Sequence, residues 1–426
     1  METVKVAVVG CGTVGSGVVD ILLKNKTIIE KRTGRRIELS FVADRDFEKV
    51  KKLGIDESVI KRDGFDVIDS DVDIVVELVG GTTVAREIVS AALRNGKSVV
   101  SANKALFASY GKELFKEAEN NGVAIRFEAS VGGGIPVIKA LNEGLVANRI
   151  EKILGIINGT ANFILTEMTE NLLPFKEALR IAKEKGYAET DPSYDIDGID
   201  AAHKIAILSS IASGKWITVD DVYTRGIRDI TPFDIEFANE FEYRIKLLAV
   251  AKFNDSGVEV RVHPAFLPES HILSSVEGVF NACLIEGDFV GPTLYYGMGA
   301  GREPTASAVV ADIADIALGK GSSVPVQLFS EEENVCVRDP EDFTTCFYLR
   351  FTALDKSGVL SRISGILAKY GISIKMAFQK NIGFNGGVPV VMTTHVAPLR
   401  TVKEAVKEID KLDVIVNPTF LCMIEE

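Results

Sequence analysis

The densest run of reactive side chains lies between Gly186 and Lys204, where Glu189, Asp191, Asp195, Asp197 and Asp200 precede the apolar stretch Ile205 to Ala212. Asp200 and Lys204 are four residues apart, so on a helix their side chains are neighbours on one face. A carboxylate held beside an ammonium suits proton transfer to or from an oxygen. The same spacing also describes a surface ion pair worth a few tenths of a kcal/mol, and taken alone it favours that reading. Against it stands the concentration of acids in a chain that also carries a nucleotide motif.

That motif is Gly10-Cys11-Gly12-Thr13-Val14-Gly15, placed between an apolar strand and a helix. The first glycine permits a tight turn, the second lets backbone approach a pyrophosphate, and the third lets helix pack on strand; helix N–H groups meet the phosphates. The next strand ends at Asp44-Arg45. An acid there bonds a ribose 2′-hydroxyl, while an arginine accommodates a 2′-phosphate, so NAD(H) and NADP(H) both stay open, with Lys61 and Arg62 as further cations. Ser101-Ala102-Asn103-Lys104 falls at the C-terminal end of a parallel strand, where open α/β sheets collect ligands. A cation at a helix start opposes the helix dipole and needs another reason to be there. Glu128 to Pro136 contains three consecutive glycines. One carboxylate with accessible carbonyls suits a hard cation, and a plain glycine turn before a helix fits equally well.

The first third of the chain alternates strands (Val4 to Val9, Arg36 to Ala43, Val72 to Val79, Ser98 to Ser101, Val123 to Phe127) with helices (Thr83 to Asn95, Ala105 to Asn120). Short apolar runs joined by helices make βαβ units and a doubly wound parallel sheet. The basic stretch Lys24 to Arg36 reads as the end of the first helix and a solvated loop. A second, α+β domain begins with a strand over Ile150 to Ile157, with later strands at Val258 to Val262 and Ala282 to Val290. The helix Glu303 to Leu318, opening at Pro304, is expected to return to the first domain. Residues 320–343, with the acidic run Glu331 to Glu333, read as a linker. Beyond it come strand Cys346 to Thr352, helix Gly358 to Tyr370, strand Ile372 to Gln379, a hairpin through Asn385-Gly386-Gly387, strand Val388 to His395, helix Thr401 to Lys411 and strand Val414 to Cys422. That is a βαββαβ, ferredoxin-like plan. The expected division is 1–145 with about 300–320, then 146–299, then 344–426.

Composition sets the class of partner. The chain has 426 residues, 46% hydrophobic and 25% charged, within the range of globular proteins of two or three domains. Acids outnumber bases 60 to 48, a formal charge of -12 that argues against nucleic acid or an anionic membrane and for a small molecule. Five scattered cysteines without a C-x-x-C pair give neither a disulfide framework nor a zinc ribbon, and a redox switch between Cys336 and Cys346 is the lesser reading. Four histidines without ligand spacing disfavour zinc chemistry or a Ser-His-Asp triad. No run approaches ~18–20 apolar residues, so a cytoplasmic location is expected.

Together, Gly10 to Gly15, Val75 to Gly81, Ser101 to Lys104, Glu128 to Pro136, Gly155 to Leu165, Gly186 to Lys204 and Gly297 to Ala306 resemble homoserine dehydrogenase, over about residues 1–320 and in that family's order. The remainder, with Asp355-Lys356-Ser357-Gly358-Val359-Leu360 after a strand, resembles an ACT domain, an amino-acid-sensing module. The form without a preceding aspartokinase portion is expected. Ala161 and Tyr187 depart from the commoner residues of the family and bear on substrate positioning rather than on the reaction.

The resemblance implies reversible, NAD(P)-dependent reduction of L-aspartate 4-semialdehyde to L-homoserine, towards threonine and methionine. It casts Lys204 as general acid/base, Asp200 as its partner, and Lys104 as an assistant near the nicotinamide. Glu189 would hold the substrate's amino-acid end, with Thr160 and Asp195 also on the substrate, and Gly301 would close over the cofactor. Glu128 with the carbonyls of Val131, Gly133 and Ile135 would hold a monovalent cation, sodium. Asp355, Gly358 and Val359 would form an effector pocket, with threonine as the expected amino acid, in a homodimer or homotetramer. Chemically, an aldehyde receiving hydride becomes an alkoxide, which a lysine ammonium stabilises and protonates. The reverse oxidation needs neutral lysine, whose reference pKa is ~10.4, so it should speed up towards alkaline pH. The alternatives are another ACT-bearing dehydrogenase, such as one for a 2-hydroxy acid, and an inactive amino-acid-binding regulator; the first should bring a His/Glu pair and the second should have lost Lys204 or Asp200.

Overall fold

The computed structural model describes residues 1–324, 336–380 and 383–425. The acidic run Glu331 to Glu333 lies outside them. By packing, the described residues divide into two compact units, one built from Met1–Gly159, Asp200–Val222 and the described part of 279–335, the other from Thr160–Ile199, Tyr223–Gly278 and the described part of 336–426.

The first unit holds a six-stranded parallel sheet of β1 (Thr3–Val9), β2 (Arg36–Ala43), β3 (Ile60–Lys61), β4 (Ile74–Glu77), β5 (Ser98–Ser101) and β6 (Ile125–Arg126), in the order β3-β2-β1-β4-β5-β6. The order reverses between β1 and β4, the switch point at which such sheets bind ligands. Val6, Val8, Ile74, Val76 and Val100 have no exposed surface, because helices cover both faces and the strands are apolar throughout. Part of that cover is the helix Arg302–Ala317, whose Ala306, Val309 and Ile313 join Val18, Val19 and Leu22 of helix Thr13–Lys24 in one core. Arg302 fastens the two helices, donating to Asp20 at 2.5 Å and to the Ser16 hydroxyl at 3.1 Å. Pro304 stands in the first turn of this helix, which opens at Arg302.

Two local expectations are corrected. Lys24 to Arg36 is not a plain loop: it carries the helix Lys26–Thr33, closed by Gly34 in the left-handed conformation. None of its residues is buried, so no apolar stripe marks it. Ala282 to Val290 is not one strand. The strand Phe280–Gly287 turns at 288–290 into Gly291–Met298, and pairs antiparallel with that strand on one side and with Ile150–Ile156 on the other.

In the second unit, Tyr243–Asn254 and Gly257–Pro268 form a long antiparallel hairpin. The C-terminal part has the expected βαββαβ order: Thr344–Ala353, helix Val359–Lys369, Ile374–Gln379, Val388–Thr394, helix Leu399–Ile409 and Ile415–Ile424. Its sheet runs fourth, first, third, second, and both helices pack on one core through Val359, Ile363, Leu367, Val402 and Ile409. The fourth strand also pairs in parallel with the long hairpin, at Ala265↔Met423 and Phe266↔Ile424. Just beyond that pairing, Glu425 is buried against Arg261 and accepts from Lys252 at 3.0 Å.

Candidate active site

At the switch point, Gly10 adopts φ +93°, and a Cβ there would lie 2.6 Å from the Leu78 carbonyl. A Cβ on Gly15 would fall 2.0 Å from the Gly10 oxygen, so helix Thr13–Lys24 can begin this close to β1 only with glycine. Gly12 sits just before the helix and Thr13 and Val14 begin it, so its free N–H groups open onto a cavity of about 740 Å³ lined by Gly10, Gly12, Asp44, Arg45, Arg62, Gly80, Gly81 and Thr82. The Asp44 carboxylate accepts from the backbone of Cys11 at 2.6 Å and of Asp46 at 2.9 Å. Arg45 and Arg62 are exposed on the same cavity. Glycines that a side chain would displace, helix N–H groups and a cleft at the switch point fit a dinucleotide.

Asp200 and Lys204 both lie on helix Ile199–Ser213, and they are 5% and 8% exposed, so this is no surface ion pair. The Lys204 ammonium donates to Asp200 Oδ2 at 2.7 Å and to the Ile157 carbonyl at 2.7 Å. Asn158 donates its amide to the same Oδ2 at 2.8 Å, and Lys104 approaches Oδ1 at 3.1 Å. Lys104 arrives there because Asn103 caps helix Lys104–Asn120, accepting from Leu106 N–H at 3.1 Å. Burial alone would push the Asp200 carboxyl up; the charges of Lys204 and Lys104, with hydrogen bonds from Lys204 and Asn158, outweigh it and hold Asp200 far below the carboxylate range. One ionised carboxylate facing two lysines leaves a net positive charge, an arrangement that suits an oxyanion.

Glu128 is buried, and its carboxylate accepts from the backbone N–H groups of Ile138 and Lys139 at 2.9 and 2.8 Å while its own N–H donates to Asp312. Burial, and then the charge of Asp312, push the Glu128 carboxyl up to about 7, and burial pushes Asp312 up to about 6. Around them Asp315 and Glu143 meet Arg126, Lys139 and Lys320. Four carboxylates thus face three cations, and Asp312 Oδ1 has no hydrogen-bond partner. The buried Glu128 carboxyl beside the buried backbone of Val131, Gly133 and Ile135 is a donor set that fits a monovalent cation.

Thr160, Glu189 and Asp195 belong to the second unit. The Thr160 hydroxyl donates to the Tyr187 carbonyl at 2.7 Å, Glu189 is exposed, and Asp195 is on the short helix Ser193–Ile196, which Arg228 steadies through Asp197 and Ser193. In the C-terminal part, Asp355, Gly358 and Val359 line a cavity of about 270 Å³ at the N-terminus of helix Val359–Lys369, with Gly358 left-handed at the cap. Gly301 caps helix Arg302–Ala317 at φ +126°.

Several buried polar residues, not all of them at the site, carry no mark in the sequence. Glu77, fully buried, accepts from Val79 and Gly80 N–H and from the Ser101 hydroxyl, tying the loop after β4 to the end of β5. Asn158 and the Ile157 carbonyl hold the Asp200–Lys204 pair. Lys246, buried, donates to the Val276 carbonyl at 2.6 Å, and burial brings it down to about 8. These contacts span 24, 42 and 30 residues, and no local pattern announces them.

A doubly wound nucleotide fold with a buried lysine–carboxylate pair in the same unit defines the class: a nicotinamide-dependent oxidoreductase. Comparison with known proteins narrows it. Residues 10–128 match the model of the homoserine dehydrogenase NAD-binding domain, 136–314 that of homoserine dehydrogenase itself, and 347–413 that of the ACT domain. Homoserine dehydrogenases of Pseudomonas aeruginosa and Neisseria gonorrhoeae are 44% and 43% identical, each over 100% of this chain and 100% and 99% of their own. The crystal structure of a homoserine dehydrogenase from Thiobacillus denitrificans superposes with a TM-score of 0.94 at 43% identity, covering 100% of this chain and 99% of that one. The chain belongs to the homoserine dehydrogenase family and carries a C-terminal ACT domain. Its substrates are therefore L-homoserine and L-aspartate 4-semialdehyde, and neither a 2-hydroxy acid nor a purely regulatory role is needed to account for it. Among the described residues no helix is long and apolar enough to cross a membrane.

Proposed function

We propose that Lys204 is the general acid/base of this reaction, Asp200 its charged partner and Lys104 a second cation beside the reacting oxygen. The observation that carries this reading is a single buried carboxylate bound by both lysines, with Lys204 at 2.7 Å and Lys104 at 3.1 Å. When bound, the nicotinamide supplies the hydride to the aldehyde carbon or accepts it from the alcohol. Lys204 gives its proton to the developing alkoxide in reduction and, neutral, takes the hydroxyl proton in oxidation. Thr160, Glu189 and Asp195 are assigned to substrate, with Glu189 at its amino-acid end. The test is absorbance at the nicotinamide band in both directions for wild type and Lys204→Ala: a flat pH profile in both directions that Lys204→Ala leaves unaltered would refute this role.

The cofactor is proposed to be NADP(H) in preference to NAD(H), because two arginines, Arg45 and Arg62, face the cavity and the one carboxylate beside them, Asp44, already accepts from two backbone N–H groups. Arg45→Ala should then raise KM for NADP far more than KM for NAD. Sodium is assigned to Glu128 with the carbonyls of Val131, Gly133 and Ile135, on the strength of a buried carboxyl next to buried backbone. An amino-acid effector, threonine, is assigned to the cavity at Asp355, Gly358 and Val359, whose helix N-terminus suits a carboxylate. Calorimetry that found no binding of any aspartate-family amino acid would remove that assignment. A cytoplasmic homodimer or homotetramer, with domain boundaries near 145 and 343, completes the proposal.

A further inference from the structure

We infer that Asn158 is a positioning residue for proton transfer, acting with the Ile157 carbonyl as a two-residue clamp on the Asp200–Lys204 pair. The inference rests on the acid/base role proposed for Lys204. An ammonium has three N–H donors in a fixed tetrahedral arrangement. Two are committed, one to Asp200 Oδ2 and one to the Ile157 oxygen, both at 2.7 Å. The direction of the third is thereby set, and it is the one left to meet a substrate oxygen. That direction is only as well defined as Asp200 itself. Asp200 sits on the first turn of helix Ile199–Ser213, and its carboxylate is anchored by Asn158, which donates at 2.8 Å to the same oxygen that receives Lys204. Lys104 holds the other oxygen.

The clamp is rigid for a local reason. Ile157 and Asn158 directly follow the buried strand Ile150–Ile156, and they are 3% and 4% exposed. The backbone oxygen of one and the side-chain amide of the next therefore move together. Lys204 and Asp200 are bound to a single piece of backbone and cannot drift apart independently. Removing the amide leaves the carboxylate held by the two lysines alone, so its orientation and that of the third Lys204 N–H are less closely fixed. A misplacement on the order of 1 Å at such a site costs about a hundredfold in rate.

Two variants test this. In Asn158→Ala, kcat should fall about 10- to 100-fold in both directions, while KM and Kd for the cofactor stay within about twofold, since the nucleotide cavity does not include Asn158. In Asn158→Asp, the isosteric side chain donates only when protonated, and two adjoining carboxyls favour holding one proton between them. Its kcat for aldehyde reduction should be lowest near pH 8 and recover about tenfold towards pH 6, a rise the wild type and Asn158→Ala lack. Cofactor binding, followed by quenching of nicotinamide fluorescence, shows that each variant is folded. If Asn158→Ala keeps wild-type kcat, or if the Asn158→Asp deficit does not change with pH, the clamp is overturned. If Lys204→Ala is as active as wild type, it is the acid/base assignment that has failed instead.

Discussion

Two helical ion pairs in this molecule share one spacing and differ in everything else. Arg180 and Glu184 lie four residues apart on helix Phe175–Glu184, with side chains 53% and 61% exposed; Asp200 and Lys204 lie four apart on helix Ile199–Ser213, with side chains 7% and 11% exposed. Arg180 also takes Glu177, so its charge is met twice over at the surface, where water and ions screen it. Asp200 is met by two lysines, an amide and almost no water. The i,i+4 spacing thus brings charges together without saying what they do; burial and an unequal count of partners set apart the pair proposed for chemistry.

Removing one member of each pair separates these roles. The largest effect should come from Lys204→Ala, which removes the proposed acid/base and should cut kcat by about 10²- to 10⁴-fold with little change in cofactor affinity. Asp200→Asn should follow: two lysines then face each other without a counter-ion, kcat should drop by about 10²-fold, and loss of one partner from a buried pair should lower stability by about 3 kcal/mol in denaturant titrations. Comparable loss of kcat in Arg180→Ala would break the comparison.

Another buried cluster sharpens it by being charged and dry but remote in sequence from Asp200 and Lys204. Burial would push the Glu425 carboxyl up, but Arg261 and Lys252 outweigh this and hold it down at about 2. A folded-state value below the unfolded ~4.3 gives stability that is complete above that pH and is lost as pH falls towards 2, amounting to about 3 kcal/mol. Glu425→Gln should lose about that much at neutral pH, show a shallower acid unfolding curve, and leave kcat nearly intact. At the small end, Arg180→Ala should shift neither the unfolding midpoint nor kcat beyond error.

How far the sequence carries depends on the range of the contact. The βαββαβ order was legible because each of its strands and helices has its own apolar period, and the fingerprint because Gly10, Gly12 and Gly15 fall where β1 meets its helix. The helix Lys26–Thr33 was not, since it buries nothing, and β3 was not, since two residues carry no alternation. At the site, Asp200 and Lys204 were visible as neighbours on one helix. Asn158 was not singled out, for its bond to Asp200 is made only when a strand end and a helix start, 42 residues apart, meet in the fold. Asp44 and Arg45 left NAD(H) and NADP(H) both open, and the Asp44 bond to Cys11 N–H appears only once β1 and β2 lie side by side.

The helix Arg302–Ala317 has a consequence for how the protein is made. It lies on helix Thr13–Lys24, although nearly 280 residues separate the two. At the ribosome's ~5–20 residues per second, roughly a quarter of a minute to a minute passes between the synthesis of the first helix and of the one that covers it. During that interval Val18, Val19 and Leu22 lack the partners that bury them in the finished fold. The nascent nucleotide-binding region therefore presents an apolar face to chaperones until the chain has grown past residue 317.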